Sequence, residues 1–324
     1  MNSPLKLSLA MAQRPMLLRR AAAIPGVAYI LVALLIVFSA LGSGFASVAN
    51  FSNIGLQSAI LLMLALPMTL IIMSEGLDLS MGAVLGLCGV ALALALVKGM
   101  GLAAALGVAL LVGSAFGLLN GVLVVTVGIP PFVATLGTLG IAQSVALVAT
   151  DGQSVVGIGD ALPALYSSEF LGIPFPMLIA GLAYLPFHFL LYHTRFGAYV
   201  FAIGGNREAL VLAGARANRY HIGIYVLGGL MAGAAALLLT GRMNSGHPIA
   251  AIGMEFDAIA AVIVGGTSFE RGNGWLPGTL LGVLAVGVLK NGLNVMAVPS
   301  SLQVASIGLL VIVALLIDTI RGKS

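Results

Sequence analysis

Residues 53–73 read NIGLQSAILLMLALPMTLIIM; the polar stretch Ser74-Glu75-Gly76-Leu77-Asp78-Leu79-Ser80 follows, and an apolar run resumes over 80–97 as SMGAVLGLCGVALALALV. The first run contains no charged residue. Crossing a hydrocarbon layer of about 30 Å takes about 20 mostly apolar residues in a helix, so two membrane spans separated by a polar break are expected. The break sets two carboxylates, Glu75 and Asp78, just ahead of an apolar helix rich in glycine.

The rest of the chain repeats this pattern. Of its 324 residues 60% are hydrophobic and 7% charged, with a mean hydropathy of +1.15, against roughly one-quarter charged in a soluble domain. Further apolar runs cover roughly 23–46, 101–126, 131–149, 174–192, 221–240, 257–267, 276–296 and 302–317, the one at 257–267 being short for a span. The fold class expected is an all-α integral membrane protein with about ten transmembrane helices. A cytoplasmic tail over 1–20 precedes a single polytopic domain over 21–320. The first apolar run is too long for a signal-peptide core and is expected to be retained. The single cysteine, Cys88, sits inside an apolar run with no second cysteine to pair with, which excludes disulfide and cysteine-metal chemistry.

Charge gives the orientation. If the amino terminus is cytoplasmic, an even number of spans returns the carboxyl terminus to the same side. Eleven of the fourteen Lys and Arg then fall inside, including Arg195, Arg207, Arg216, Arg219, Arg271 and Arg321. Lys98, Arg242 and Lys290 are the exceptions, and Asp151, Asp160 and Glu169 mark the longest outer loop without a basic neighbour. The basic residues are dispersed at helix ends and do not alternate with exposed aromatics, which excludes nucleic acid as a partner and leaves lipid.

Enzyme motifs are missing. The sequence has no HExxH pair and no nucleophile elbow, and Gly322-Lys323-Ser324 lacks the earlier glycine of a phosphate-binding loop, a place taken by Ile317. If ATP drives this protein, another subunit hydrolyses it. Span centres are nearly empty of charge, which disfavours ion coupling; Lys290 is expected to snorkel toward the interface. Neutral hydrogen-bonding residues occupy the interiors instead: Gln57, Asn120, Thr135, Thr138, Gln143, Asn291 and Asn294. Such a lining suits a neutral, hydroxyl-rich solute, or else bonds between helices. Asp78, Asn120, Thr135, Asn291 and Asn294 are the candidate translocation-path residues. A second polar break, Gly253-Met254-Glu255-Phe256-Asp257, echoes the first; both mark a transport path or cap helix starts. Glycines at four-residue spacing (Gly82 and Gly86; Gly113, Gly117 and Gly121; Gly229 and Gly233; Gly278 and Gly282) are expected packing seams.

The loop over 193–220 is polar, basic and long where the other inner connections are short. Gly204-Gly205-Asn206 followed by Arg207-Glu208-Ala209-Leu210 predicts a helix start capped by Asn206. A partner outside the membrane is expected to dock there; an amphipathic helix lying on lipid has a similar composition.

With these residues the chain resembles the ribose-type sugar permeases of ATP-binding cassette importers. Ala202 to Asn206 with Ala213-Gly214 is similar to their cytoplasmic coupling segment, and Glu208-Ala209 keeps its spacing to Gly214. The Leu-Pro that often closes that motif is replaced by Val226-Leu227. Gly76-Leu77-Asp78-Leu79-Ser80-Met81-Gly82, Gly117 to Gly121, Pro131 to Leu136, Glu255 to Thr267 and Asn291 to Asn294 resemble further family blocks in order over roughly 50–320. Departures are Ala251, Phe256 and Glu270-Arg271. The resemblance implies a type II-like importer permease bundle in the bacterial inner membrane, moving a monosaccharide. It also implies a second permease copy, identical or related, a periplasmic sugar-binding protein, and an ATPase subunit that holds ATP and Mg, with no cofactor in this chain. Gly204, Gly205, Asn206, Glu208, Ala209 and Gly214 become the ATPase-coupling residues. Two alternatives stay open: a branched-chain amino-acid permease of the same architecture, and an ion-coupled secondary transporter.

Overall fold

Every one of the apolar runs forms a helix, and the reason the bundle closes lies in the run that opened the sequence. The structure, a computed structural model, describes residues 25–268 and 272–322. The expected tail at 1–20 lies outside the described residues, as do Glu270 and Arg271. Helix α1 spans Gly26–Leu41, α2 Val48–Met73, α3 Met81–Val97 and α4 Leu102–Gly121, which runs into a π-helical turn at Val122–Val127. Helix α5 spans Pro131–Ala149, α6 Ala161–Tyr166, α7 Phe175–His193, α8 Arg195–Leu212 and α9 Ala217–Met243. Helices α10 (Met254–Val264), α11 (Leu276–Val295) and α12 (Ser300–Gly322) complete the chain.

Helix α2 is apolar all round, and a helix of that kind belongs in the middle. From Ser58 to Met73 every residue is buried, with α7, α9, α10 and α11 packed around it. The outer helices behave differently. Leu111 on α4, Val148 on α5 and Leu182 and Leu185 on α7 point outward and are largely exposed, as lipid-facing side chains are. Among the described residues six helices, α2, α4 with its π turn, α5, α7, α9 and α11, are long and apolar enough to cross a membrane. The protein is therefore a mostly helical, multi-pass membrane protein.

Helices α4 and α9 meet along the predicted glycine seam. A methyl group on Gly113 would strike the carbonyl oxygen of Gly229, and one on Gly229 would strike that of Gly113. Backbones touch directly there, so dispersion between main chains replaces side-chain interdigitation.

The loops sort into two ends. At one, Val155 bridges Gly246 with paired N–H···O bonds of 2.8 and 2.9 Å, joining the 150–174 connection to the segment after α9. That connection holds α6 and a hairpin of β1 (Glu169–Phe170) with β2 (Ile173–Pro174). At the other end Met73, Gly204 and Gly272 crowd together, and Tyr192 accepts a hydrogen bond from the Leu276 amide at 3.0 Å.

The short eighth run finds its explanation here. Helix α10 has 11 residues, about 16 Å at 1.5 Å per residue, roughly half of a bilayer core. The segment before it covers the remaining depth by running along α3: a methyl on Gly86 would meet the Pro248 carbonyl oxygen at 3.0 Å, and one on Gly82 would press on the Ala251 carbonyl and the Glu255 carboxylate. The tenth run likewise forms one helix, α12.

Candidate functional site

Helix α2 ends at Met73 because the chain turns out of the helix at once. Ser74 returns its hydroxyl to the Ile71 carbonyl at 2.9 Å, Glu75 takes φ +59, and the Gly76 amide closes on the same Ile71 carbonyl at 2.8 Å. The left-handed region disfavours a side chain such as glutamate, so the surroundings must hold this turn in place. Two residues later Asp78 accepts from both the amide (2.9 Å) and the hydroxyl (2.6 Å) of Ser80 and so sets the start of α3.

Three further helical residues close over Asp78. Asn120 of α4 donates its amide to Ser80 Oγ at 2.8 Å and more weakly to the Asp78 carboxylate at 3.3 Å. Thr138 of α5 donates to Asn120 Oδ1 at 2.6 Å, which fixes the direction of that amide. Thr135, one turn earlier, accepts from the Leu79 amide at 3.2 Å and donates to the Pro131 carbonyl at 2.8 Å. Asp78, Asn120, Thr135 and Thr138 are all 2% exposed or less. Buried polar groups persist when every member of the network is satisfied. The result is a neutral-donor knot around one carboxylate, gripping α3, α4 and α5 where each begins or bends. A narrow slot lined by Asp78, Met81, Val84, Gly117, Asn120 and Gly229 runs beside it, too tight for a sugar ring. On the α9 side the Tyr225 hydroxyl lies against Gly76.

The second polar break uses other means. Both carboxylate oxygens of Glu255 accept from the Gly253 amide at 3.1 Å, which caps α10, and Asp257 forms an ion pair with Lys290 of α11. The expectation that Lys290 snorkels is corrected here, because its amine turns inward to a carboxylate that is 8% exposed. Gly82 touches Glu255, so the starts of α3 and α10 abut. Two helix amino termini, each with partial positive charge, share a neighbourhood supplied with buried carboxylates. The capping alternative thus describes Glu255 geometrically, and the pairing of the two breaks is real in space.

The sequence-nominated path residues divide. Asp78, Asn120 and Thr135 come together in the knot. Asn291 instead accepts from Asn50 Nδ2 at 2.8 Å, tying the end of α11 to the start of α2, and Asn294 accepts from Gln303 at 3.0 Å. Those two lie toward the opposite end of the bundle. Ser80 and Tyr225 were not nominated, and Thr138 was noted only as a polar interior residue. A serine two residues after an aspartate was the one signal for Ser80; nothing local marks Tyr225.

The 193–220 segment is helical, with an elbow. Helix α8 breaks at Asn206 (φ −165, ψ 91), and the Asn206 side chain accepts from the Ala209 amide at 2.8 Å, the predicted N-cap. Gly205, Glu208, Ala209 and Gly214 are exposed, and Leu212 is 88% exposed. Gly204 is buried against Met73. Arg207 donates to Asn218 at 3.0 Å, anchoring the elbow to the start of α9. Among the described residues no group of three His, Cys, Asp or Glu could hold a metal ion.

A family model described as the permease component of the branched-chain amino acid transport system matches residues 50–316. The ribose import permease protein of Bacillus subtilis (strain 168) is 38% identical over 293 residues, covering 90% of each chain. The ribose import permease protein of Escherichia coli (strain K12) is 37% identical over 293 residues, 89% of this chain and 91% of its own. The D-allose transport system permease protein of the same strain is 33% identical over 301 residues, 92% of each. No solved structure matches.

Proposed function

The chain belongs to the ribose-type permeases of ATP-binding cassette importers, within the branched-chain amino acid transport system permease family, and from that premise we propose that it moves a monosaccharide through the membrane. It is a transport subunit and not an enzyme; ATP is hydrolysed in a separate subunit. The sugar assignment draws on relatives that import ribose and allose. The knot around Asp78 accords with it, since its donors are neutral hydroxyl and amide groups.

The finer architecture follows from the same premise. We assign about ten crossings within a single polytopic domain over 21–320, both termini in the cytoplasm with the tail over 1–20, and residence in a bacterial inner membrane. A second permease copy would complete the path. A periplasmic binding protein would deliver the sugar, and the ATPase subunit would carry ATP and Mg. Asp78, Asn120 and Thr135 would stand at the inner part of the path, with Asn291 and Asn294 nearer its outer mouth.

One observation supports the coupling role of 193–220 above others: the elbow of α8 holds Glu208, Ala209 and Leu212 in the open while its root is buried in the bundle at Gly204. An exposed leucine on a capped, anchored helix fits insertion into a partner. Gly205, Asn206, Glu208, Ala209 and Gly214 would dock the ATPase, and Gly204 at the buried root would pass its closure into the bundle. Reversing the charge with Glu208→Arg should cut reconstituted uptake and ATPase stimulation about tenfold, within the usual range for energetic coupling, with the fold intact by circular dichroism. Unaltered uptake and stimulation in that variant would discard the docking role.

A further inference from the structure

Met73, the last residue of α2, is completely buried, and its main-chain carbonyl is met by the backbone of α8 at Gly204. A methyl on Gly204 would collide with the Met73 carbonyl oxygen and come within 2.7 Å of Gly272 Cα. One on Gly272 would lie 2.7 Å from the Phe201 carbonyl oxygen and 3.1 Å from the Gly204 carbonyl carbon, and the Gly272 backbone is left-handed at φ +64. Three stretches of main chain therefore touch with no side chain between them: the root of the α8 elbow, the end of α2, and the lead-in to α11. Side chains in contact can change rotamer to absorb a small displacement; backbones in contact must move together. From Met73 the chain passes the turn at Glu75 and reaches Asp78 five residues on. A further tie beyond the elbow, Arg207 to Asn218 at 3.0 Å, is an exposed pair of side chains, which yields more readily, and the stretch of α8 before the elbow rests on α9 through the stacked rings of Tyr199 and Tyr220.

We propose that this seat of Gly204 and Gly272 around Met73 is the joint that carries the motion of the α8 elbow into α2 and so to the Asp78 knot, an inference that rests on the coupling role given above. Gly204 and Gly272 are then positioning residues for the transport step, and Gly272 acts from outside the segment that meets the ATPase.

The test uses the assembled importer in proteoliposomes, permease with its ATPase and binding protein. Gly204→Ala and Gly272→Ala should each keep the ATPase subunit through purification, yet lower uptake and binding-protein-stimulated ATP hydrolysis about tenfold, a typical coupling effect. Gly107→Ala, where a methyl meets nothing within 4 Å, should match the parent. Uptake within about twofold of the parent in both seat variants, inside the span of ordinary surface substitutions, overturns the joint. Should either variant fail to fold, hydrogen exchange in the unmodified importer decides, comparing nucleotide-free and ATP-trapped states. Altered protection in both 204–214 and 74–80 supports the joint. A change confined to 204–214 overturns the joint while leaving docking intact, and no change in either segment removes the docking role and the joint with it.

Discussion

The two polar breaks face one problem, a carboxylate buried at the start of an apolar helix, and answer it differently. Around Asp78 the donors are neutral and come from three helices: Ser80 on α3's own start, Asn120 from α4, and Thr138 behind it from α5. Around α10 the partners are the Gly253 amide and a full charge, Lys290 of α11. A neutral network depends on direction, because each hydroxyl or amide must point correctly for the next to be satisfied. An ion pair between two long side chains depends mainly on distance. The first break is built to hold three helices in one register, whereas the second joins α10 to α11, whose backbones also meet directly where Gly282 lies against the Ala261 carbonyl.

The harshest way to break this contrast is to force apart the point where both breaks meet. Gly82→Val would place its side chain against the Glu255 carboxylate and the Ala251 carbonyl. It should destabilise the protein by about 3 kcal/mol, the upper range for overpacking, read as a lowered thermal midpoint in detergent. A midpoint equal to the parent's means the two starts do not abut. Next comes Asn120→Ala, which strips partners from Ser80 and Thr138 together; about 2 kcal/mol is expected, the penalty for stranding buried polar groups. A loss below that of the lysine change described next would reverse the ranking of the two breaks. The smallest effect belongs to Lys290→Met. Losing one partner of a buried pair can cost several kcal/mol, but the Lys290 side chain is 35% exposed, so about 1 kcal/mol is expected, near the upper end for an exposed pair. Adding Asp257→Asn should recover most of that loss, and a double variant weaker than the single one would show that the pair acts through more than charge.

Much of this was legible in the residues because local chemistry wrote it there. Apolar runs located the helices to within a few residues, the four-residue glycine spacing located the α4 to α9 seam, and Gly-Gly-Asn located the N-cap at Asn206. What escaped depends on distance along the chain. Lys290 and Asp257 are 33 positions apart, and nothing in either neighbourhood says that the lysine turns inward. Asn120, Asn291 and Asn294 look alike as polar residues in apolar helices; only the packing of α4 on α3 sends the first to the Asp78 knot, while the other two tie helix ends. The 257–267 run is short for a span, and a half-length helix preceded by a segment of turns that packs along α3 is a tertiary arrangement that no window of sequence displays.

That half-length helix also bears on how the chain enters its membrane. Eleven residues carrying Glu255 and Asp257 are a poor substrate for insertion, since a central acid is unfavourable by about 3 kcal/mol on the translocon scale. Helix α11 follows with the compensating lysine and a full crossing length. The pair is therefore suited to enter as a single hairpin, with Asp257 of one arm matched by Lys290 of the other.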